Sequence, residues 1–115
     1  MNTSLVEKPW GFYLVLAESY NYKTKLLCIE PNHELSYQSH EHRDEYWVVV
    51  EGQGSLILDG DHDVLYRGRQ IMIPRMAKHQ AINKGLTDLL IIETQIGDKL
   101  SEDDIVRYSD KYGRT

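Results

Sequence analysis

One cysteine, three prolines and one phenylalanine are all that 115 residues hold of these types, and each scarcity removes an option. A single thiol, Cys28, cannot close an internal disulfide, so the fold has to rest on a packed core. Its apolar, alternating surroundings read as those of a reduced core cysteine. Basic residues are outnumbered, 13 against 18, and the net charge of −5 argues against a nucleic-acid partner held by an overall basic surface. It leaves room for a local basic pocket. No stretch approaches ~20 apolar residues, and the amino terminus shows no charged-then-apolar signal segment. The expectation is a soluble, cytoplasmic protein that does not engage a membrane. No Gly-rich phosphate loop appears, which argues against nucleotidyl transfer. Without repeats or low-complexity linkers, the chain reads as one domain, residues 1–115, with residues 1–8 a polar amino-terminal arm.

What the chain does contain is a succession of short β-prone runs separated by turn residues. Strands are expected over residues 11–17, 22–30, 35–42, 45–51, 54–58, 64–66, 70–73 and 79–83, with Arg43-Asp44 as a turn. Residues 86–96 form the most apolar run, and Asp59-Gly60-Asp61 is a tight hairpin signal. Many short strands at close spacing imply an all-β barrel or sandwich. At the end, Ser101 with Asp104 three residues on resembles a helix cap, so a short helix or turn is expected over residues 103–110.

Potential ligands gather in residues 38–54. On an extended strand Gln38, His40 and His42 would project to one side, and Glu45 follows after a short break. Imidazole and carboxylate together are usual ligands of a catalytic divalent metal. A second segment, residues 68–83, adds His79. In a small barrel the inward residues of opposite strands meet near the axis, so His79 is placed to complete a site begun by His40 and His42. Lone histidines more often serve as ordinary polar or hydrogen-bonded core groups, and His33 and His62, in turn-like stretches, receive no role. Trp10 and Trp47 read as core or subunit-contact residues.

Both segments resemble the paired motifs of the cupin superfamily. His40, His42, Glu45 and Gly52 match the first motif, and Gly68, Pro74, His79 and Asn83 the second, with Met76 where the family usually has Gly. Nearly the full length is similar to one branch, the type II mannose-6-phosphate isomerase domain, often the carboxyl-terminal part of a bifunctional mannose-1-phosphate guanylyltransferase. The resemblance runs through Pro9-Trp10-Gly11, residues 22–25, 35–40 and 42–50, Ile73-Pro74 with His79, and the endings 102–107 and 110–114. Tyr46 stands where the family usually has His.

The resemblance implies a cupin jelly-roll (double-stranded β-helix) barrel. It implies a metal-dependent isomerase interconverting mannose 6-phosphate and fructose 6-phosphate. The implied ligands are His40, His42, Glu45, His79 and Gln38, around zinc by preference, with manganese, iron, nickel or cobalt also compatible. Glu45 and Arg107 are the expected catalytic residues, and Lys25, Arg43, Tyr112 and Arg114 the substrate-binding ones, chosen from a wider cationic set with Lys23, Arg75 and Lys78. Glu45, if not a ligand, becomes the candidate base. By analogy the chain is expected to form a homodimer. Two other readings stay open: a non-catalytic metal-binding cupin that holds a sugar or sugar phosphate, as partner of a separate guanylyltransferase, and a cupin oxygenase.

Overall fold

Over residues 43–49, 70–73 and 89–97 every second side chain is buried, and this period of two sets the architecture. The computed structural model describes residues 4–115. Its strands are β1 Ser4–Lys8, β2 Gly11–Glu18, β3 Tyr22–Ile29, β4 Tyr37–Ser39, β5 Arg43–Glu51, β6 Gln53–Leu58, β7 Asp61–Tyr66, β8 Gln70–Ile73, β9 His79–Ile82, β10 Leu89–Gly97 and β11 Val106–Ser109. Six pair antiparallel in the order β1-β2-β3-β10-β5-β8, and five in the order β11-β4-β9-β6-β7. The two sheets face each other as the expected cupin jelly roll.

Strand β10 lies between β3 and β5 and divides the interior into two ends. Its inward residues are Leu89, Ile91, Glu93 and Gln95. Leu89 and Ile91 sit in register with Ile29, Leu27 and Val49, and these close one end as a dry plug with Leu56, Leu65 and Ala81. Each leucine, isoleucine and valine among them stabilises the fold by about 1.5–3 kcal/mol through burial. Further along the same face, Glu93 pairs across to Lys25 and Trp47, and Gln95 to Glu45. The apolar half holds the barrel shut, and the polar half is left as a cavity.

Several glycine and turn positions explain themselves. Gly52 has φ 84°, and a Cβ there would collide with the Asp88 carbonyl. Asp59 and Gly60 both take positive φ, 47° and 85°, the pair that joins β6 to β7 as a tight hairpin. Asn83, fully buried, donates to the carbonyls of Ile29 and Thr87 and accepts from Gly85 N, locking two loops together.

Three expectations need correction. Residues 4–8 are not an arm but the edge strand β1, paired along its length with β2; residues 1–3 lie outside those described. No helix occurs among the described residues: beyond a turn at 102–103, residues 106–109 pair with β4 as β11. Val106 and Tyr108 favour a strand. The capping side chains are used locally, Ser101 Oγ accepting from Asp103 N and Asp104 accepting from two amides of another segment. Lastly, Arg43-Asp44 is not a turn but the start of β5, the bend falling at residues 40–42.

The outer face of the larger sheet is apolar. Leu14, Leu26, Ile92 and Val48 line up across four strands, and Tyr46 sits opposite Met72. Tyr46, Val48 and Met72 are each about two-fifths exposed, at 42, 39 and 45%. The Tyr46 position, where the resemblance departs from its family, therefore lies outside the cavity.

Met76 has φ 71°, in the left-handed region that costs a side-chain-bearing residue about 1–2 kcal/mol. The resemblance to the second cupin motif implies Gly at this position, and the side chain is 63% exposed, so little packing is lost with it. Met76→Gly is expected to stabilise the protein by about 0.5–1 kcal/mol after the unfolded-state entropy of glycine is deducted. Thermal denaturation would read this as a rise of roughly 2–6 °C.

Candidate metal centre

The polar end of the barrel draws side chains from both sheets. His40 follows β4, Glu45 projects inward from β5, and His79 opens β9; one ligand atom from each lies within 4.8 Å of the others. The two motif segments are clamped by a hydrogen bond from Met76 N to the His40 carbonyl, 2.8 Å.

Each histidine has its tautomer set by a carbonyl, which can only accept. His40 Nδ1–H donates to Asp104 O at 2.7 Å, and His79 Nδ1–H to Ala77 O at 3.0 Å. Both Nε2 atoms are thereby turned towards Glu45, at 3.2 Å from Oε2 for His40 and 3.4 Å from Oε1 for His79. Such outer hydrogen bonds are how proteins orient metal-binding imidazoles. Burial lowers the pKa of His40 to about 4, so its Nε2 is a lone pair. That lone pair and the carboxylate oxygen, both acceptors, need a cation between them. Arg43 supplies one: its Nη2 donates to His40 Nε2 at 3.2 Å and lies 2.9 Å from Glu45 Oε2.

The donor set fits a divalent ion on these grounds. Two imidazoles and a carboxylate are a common catalytic triad, and ligand atoms about 2.1 Å from a tetrahedral ion stand roughly 3.4 Å apart. Burial would raise the Glu45 carboxyl, but the hydrogen bond and charge of His79, with His40 and Arg43, hold it well below the ordinary range. Burial likewise opposes charge on His79, yet the hydrogen bond and charge of Glu45 raise its pKa.

Among the other expected site residues, Gln38 lies opposite His79 in the β4–β9 pairing and lines the cavity, its amide donating to Ser36 O at 3.3 Å. Lys25, Arg43, Arg107 and Arg114 also line it. His42 does not join the group. The Asp104 carboxylate accepts from the amides of Glu41 and His42, bends the chain there, and breaks the alternation that would align His40 with His42. Arg43 then takes the inward position, and the half-exposed ring of His42 lies beside Glu41. Tyr112 is also displaced from its expected role: its hydroxyl is engaged by His33 Nδ1 at 2.7 Å and Glu34 N at 3.2 Å, and its ring stacks on His33. Arg75 and Lys78 lie outside the cavity lining.

Sequence reasoning missed Glu93, Trp47, Lys8 and Glu102 as cavity residues. Glu93, 5% exposed, receives Gln95 Nε2 at 2.7 Å and Trp47 Nε1 at 3.1 Å; the same indole N–H also reaches Glu45 at 3.2 Å. Burial, with the charge of Glu45, raises the Glu93 pKa to about 7. A carboxyl at that value can both take and give a proton near neutrality. The signal was available, because Glu93 shares its parity with the core residues Leu89 and Ile91.

Residues 2–110 match the family described as mannose-6-phosphate isomerase C-terminal. The chain is 41% identical over 109 residues to a mannose-1-phosphate guanylyltransferase of Escherichia coli, covering 95% of this chain and 23% of that protein. It is 38% identical over 110 residues to the alginate biosynthesis protein AlgA of Pseudomonas putida, covering 96% of this chain and 23% of the other. The chain thus spans about a quarter of the length of these curated relatives. Among solved structures it is similar to an RmlC-like cupin from Shewanella frigidimarina, with a TM-score of 0.76 at 22% identity over 88% of this chain and 87% of that one. Capsular polysaccharide assembling protein CapF from Staphylococcus aureus gives 0.77 at 15% identity, over 95% of this chain and 35% of CapF. These last two show the fold.

The triad makes a direct expectation. His79→Ala and Glu45→Gln should each weaken divalent-ion binding by more than the roughly 10–100-fold that loss of an outer hydrogen-bond partner costs, while His42→Ala leaves it unchanged, as read by titration calorimetry and elemental analysis. Because an ion must displace a proton from His79, whose pKa is raised, affinity should fall as pH falls.

Proposed function

Since the chain belongs to the mannose-6-phosphate isomerase C-terminal family, we propose that it is a metal-dependent sugar-phosphate isomerase interconverting mannose 6-phosphate and fructose 6-phosphate. The observation that carries this reading is one cavity holding a His40–Glu45–His79 triad, a near-neutral buried carboxyl and a cationic rim. A divalent ion, zinc by preference, would polarise the sugar oxygens at C1 and C2 when bound. Glu93 is assigned the proton transfer between those carbons. Glu45, engaged by both imidazoles and held at low pKa, is a poor proton carrier, so the role expected of it passes to Glu93. Arg107 and Lys25 are assigned to the phosphate. The buried free thiol of Cys28 accords with a reducing, cytoplasmic setting.

A second reading is favoured by Arg43. Its guanidinium already bridges His40 and Glu45, where a resident cation reduces the need for a metal. On that reading the protein binds a sugar phosphate without turnover, as partner of a separate transferase chain. Incubation of metal-loaded protein with mannose 6-phosphate separates the two. Formation of fructose 6-phosphate, with kcat lowered about 10²–10⁴-fold in Glu93→Gln, supports the isomerase. Ligand-dependent thermal stabilisation with no product, across the common divalent ions, supports the binding protein.

We further propose that the apolar outer face of the larger sheet pairs two copies. Val48 stands on that face beside Ile92 and is 39% exposed. Sedimentation equilibrium should give a dimer for the native chain and a monomer for Val48→Asp; a native monomer at tens of micromolar would exclude it.

A further inference from the structure

The cavity that holds the triad is also crowded with positive charge. Lys8 from β1, Lys25 from β3, Arg107 from β11 and Arg114 from the tail all line it. Lys8 is held below its usual pKa, by burial first, with Arg114, Arg107 and Lys25 adding repulsion and Glu102 opposing them. Two guanidinium nitrogens are buried without a partner, Arg107 Nε and Arg43 Nη1, and Arg43 is only 6% exposed. Unpaired buried donors of this kind mark a place where an acceptor is missing.

One carboxylate answers this charge from outside the sheets. Glu102, in the β10–β11 connection, accepts from Lys25 Nζ at 2.8 Å and lies 3.8 Å from Lys23 Nζ. The Lys25 ammonium also sits over the Tyr13 ring, 4.1 Å from its centroid. The contrast in burial is informative: the Lys25 side chain is 5% exposed and that of Glu102 46%. The lysine is built into the barrel wall, and the glutamate reaches in from the rim. A single carboxylate brings one negative charge and two acceptor oxygens. A phosphate monoester brings up to two charges and three oxygens, enough for Lys25, Lys8 and the free Nε of Arg107 together.

We propose that Glu102 is a resident counter-ion that occupies the anion position of the cavity, and that a phosphate monoester binds by displacing it from Lys25. The inference rests on the reading of the cavity as a sugar-phosphate site, and adds how part of its positive charge is offset when it is empty. Glu102 then competes with ligand, and the apparent affinity is reduced by the fraction of molecules in which it is engaged.

Inorganic phosphate is the probe, titrated calorimetrically into the full chain at fixed ionic strength. Glu102→Gln keeps the shape and removes the charge, and should bind phosphate roughly tenfold more tightly than the native protein, as for a closed state outweighing the open one by about that ratio. Lys25→Met should abolish the gain. Circular dichroism establishes that each variant is folded, and Glu102→Asp, one methylene shorter, gives a smaller gain in the same direction if the Gln variant does not fold. If phosphate binds in a Lys25-dependent manner but neither Glu102 variant binds it more tightly, the counter-ion inference is overturned and the sugar-phosphate reading stands. If neither the native chain nor the variants bind phosphate, both are overturned.

Discussion

Burying the Glu45 carboxylate to 1% exposure is the constraint to which the rest of this molecule is fitted. A charge in that position is tolerable only when donors and cations surround it. Four residues meet the need: Arg43 from the same strand, Trp47 two residues on, and the imidazoles of His40 and His79 from the other sheet. Removing one partner leaves the others to carry an uncompensated charge, which is why motif residues separated in the chain converge on this point. The amide clamp between Met76 and His40 and the carbonyls of Asp104 and Ala77 fix the approach of the two rings.

That arrangement is possible because the barrel is divided along its length. β10 contributes leucine and isoleucine to one end and glutamate and glutamine to the other, on one face and in unbroken register with β3. The apolar end supplies the burial energy, and the polar end spends part of it on holding unlike charges close together. Glu45 and Glu93 share the Trp47 indole N–H, and their environments push the two carboxyls in opposite directions, one well below its ordinary value and the other to about 7. Divergent carboxyls in one cavity are a recurring basis for dividing ligand and proton-carrier roles.

Much of the fold was legible because its signals are local. The Asp59-Gly60 turn, the alternating runs and the glycine at 52 each act within a few residues. What was not legible depends on contacts between distant segments. His42 was read onto the face of His40 because alternation was carried through a bend that Asp104, 62 residues away, creates. The tail was expected to form a helix from its capping residues, and pairing with β4 overrode that tendency. Tyr112 was read as a ligand contact, although its partner His33 lies 79 residues earlier. Glu93 is a different kind of omission: it stood in a run valued only for its apolar residues, where counting parity would have set it among them.

Asp104 gives the last segment a meaning beyond edge pairing. Its backbone oxygen orients the His40 ring and its carboxylate shapes the bend that turns His42 outward. Only Asp103 separates it from Glu102, whose carboxylate rests on Lys25. The carbonyl that orients the His40 ring and the carboxylate that rests on Lys25 thus come from a single three-residue stretch of backbone, so groups that would hold a cation and an anion share one support.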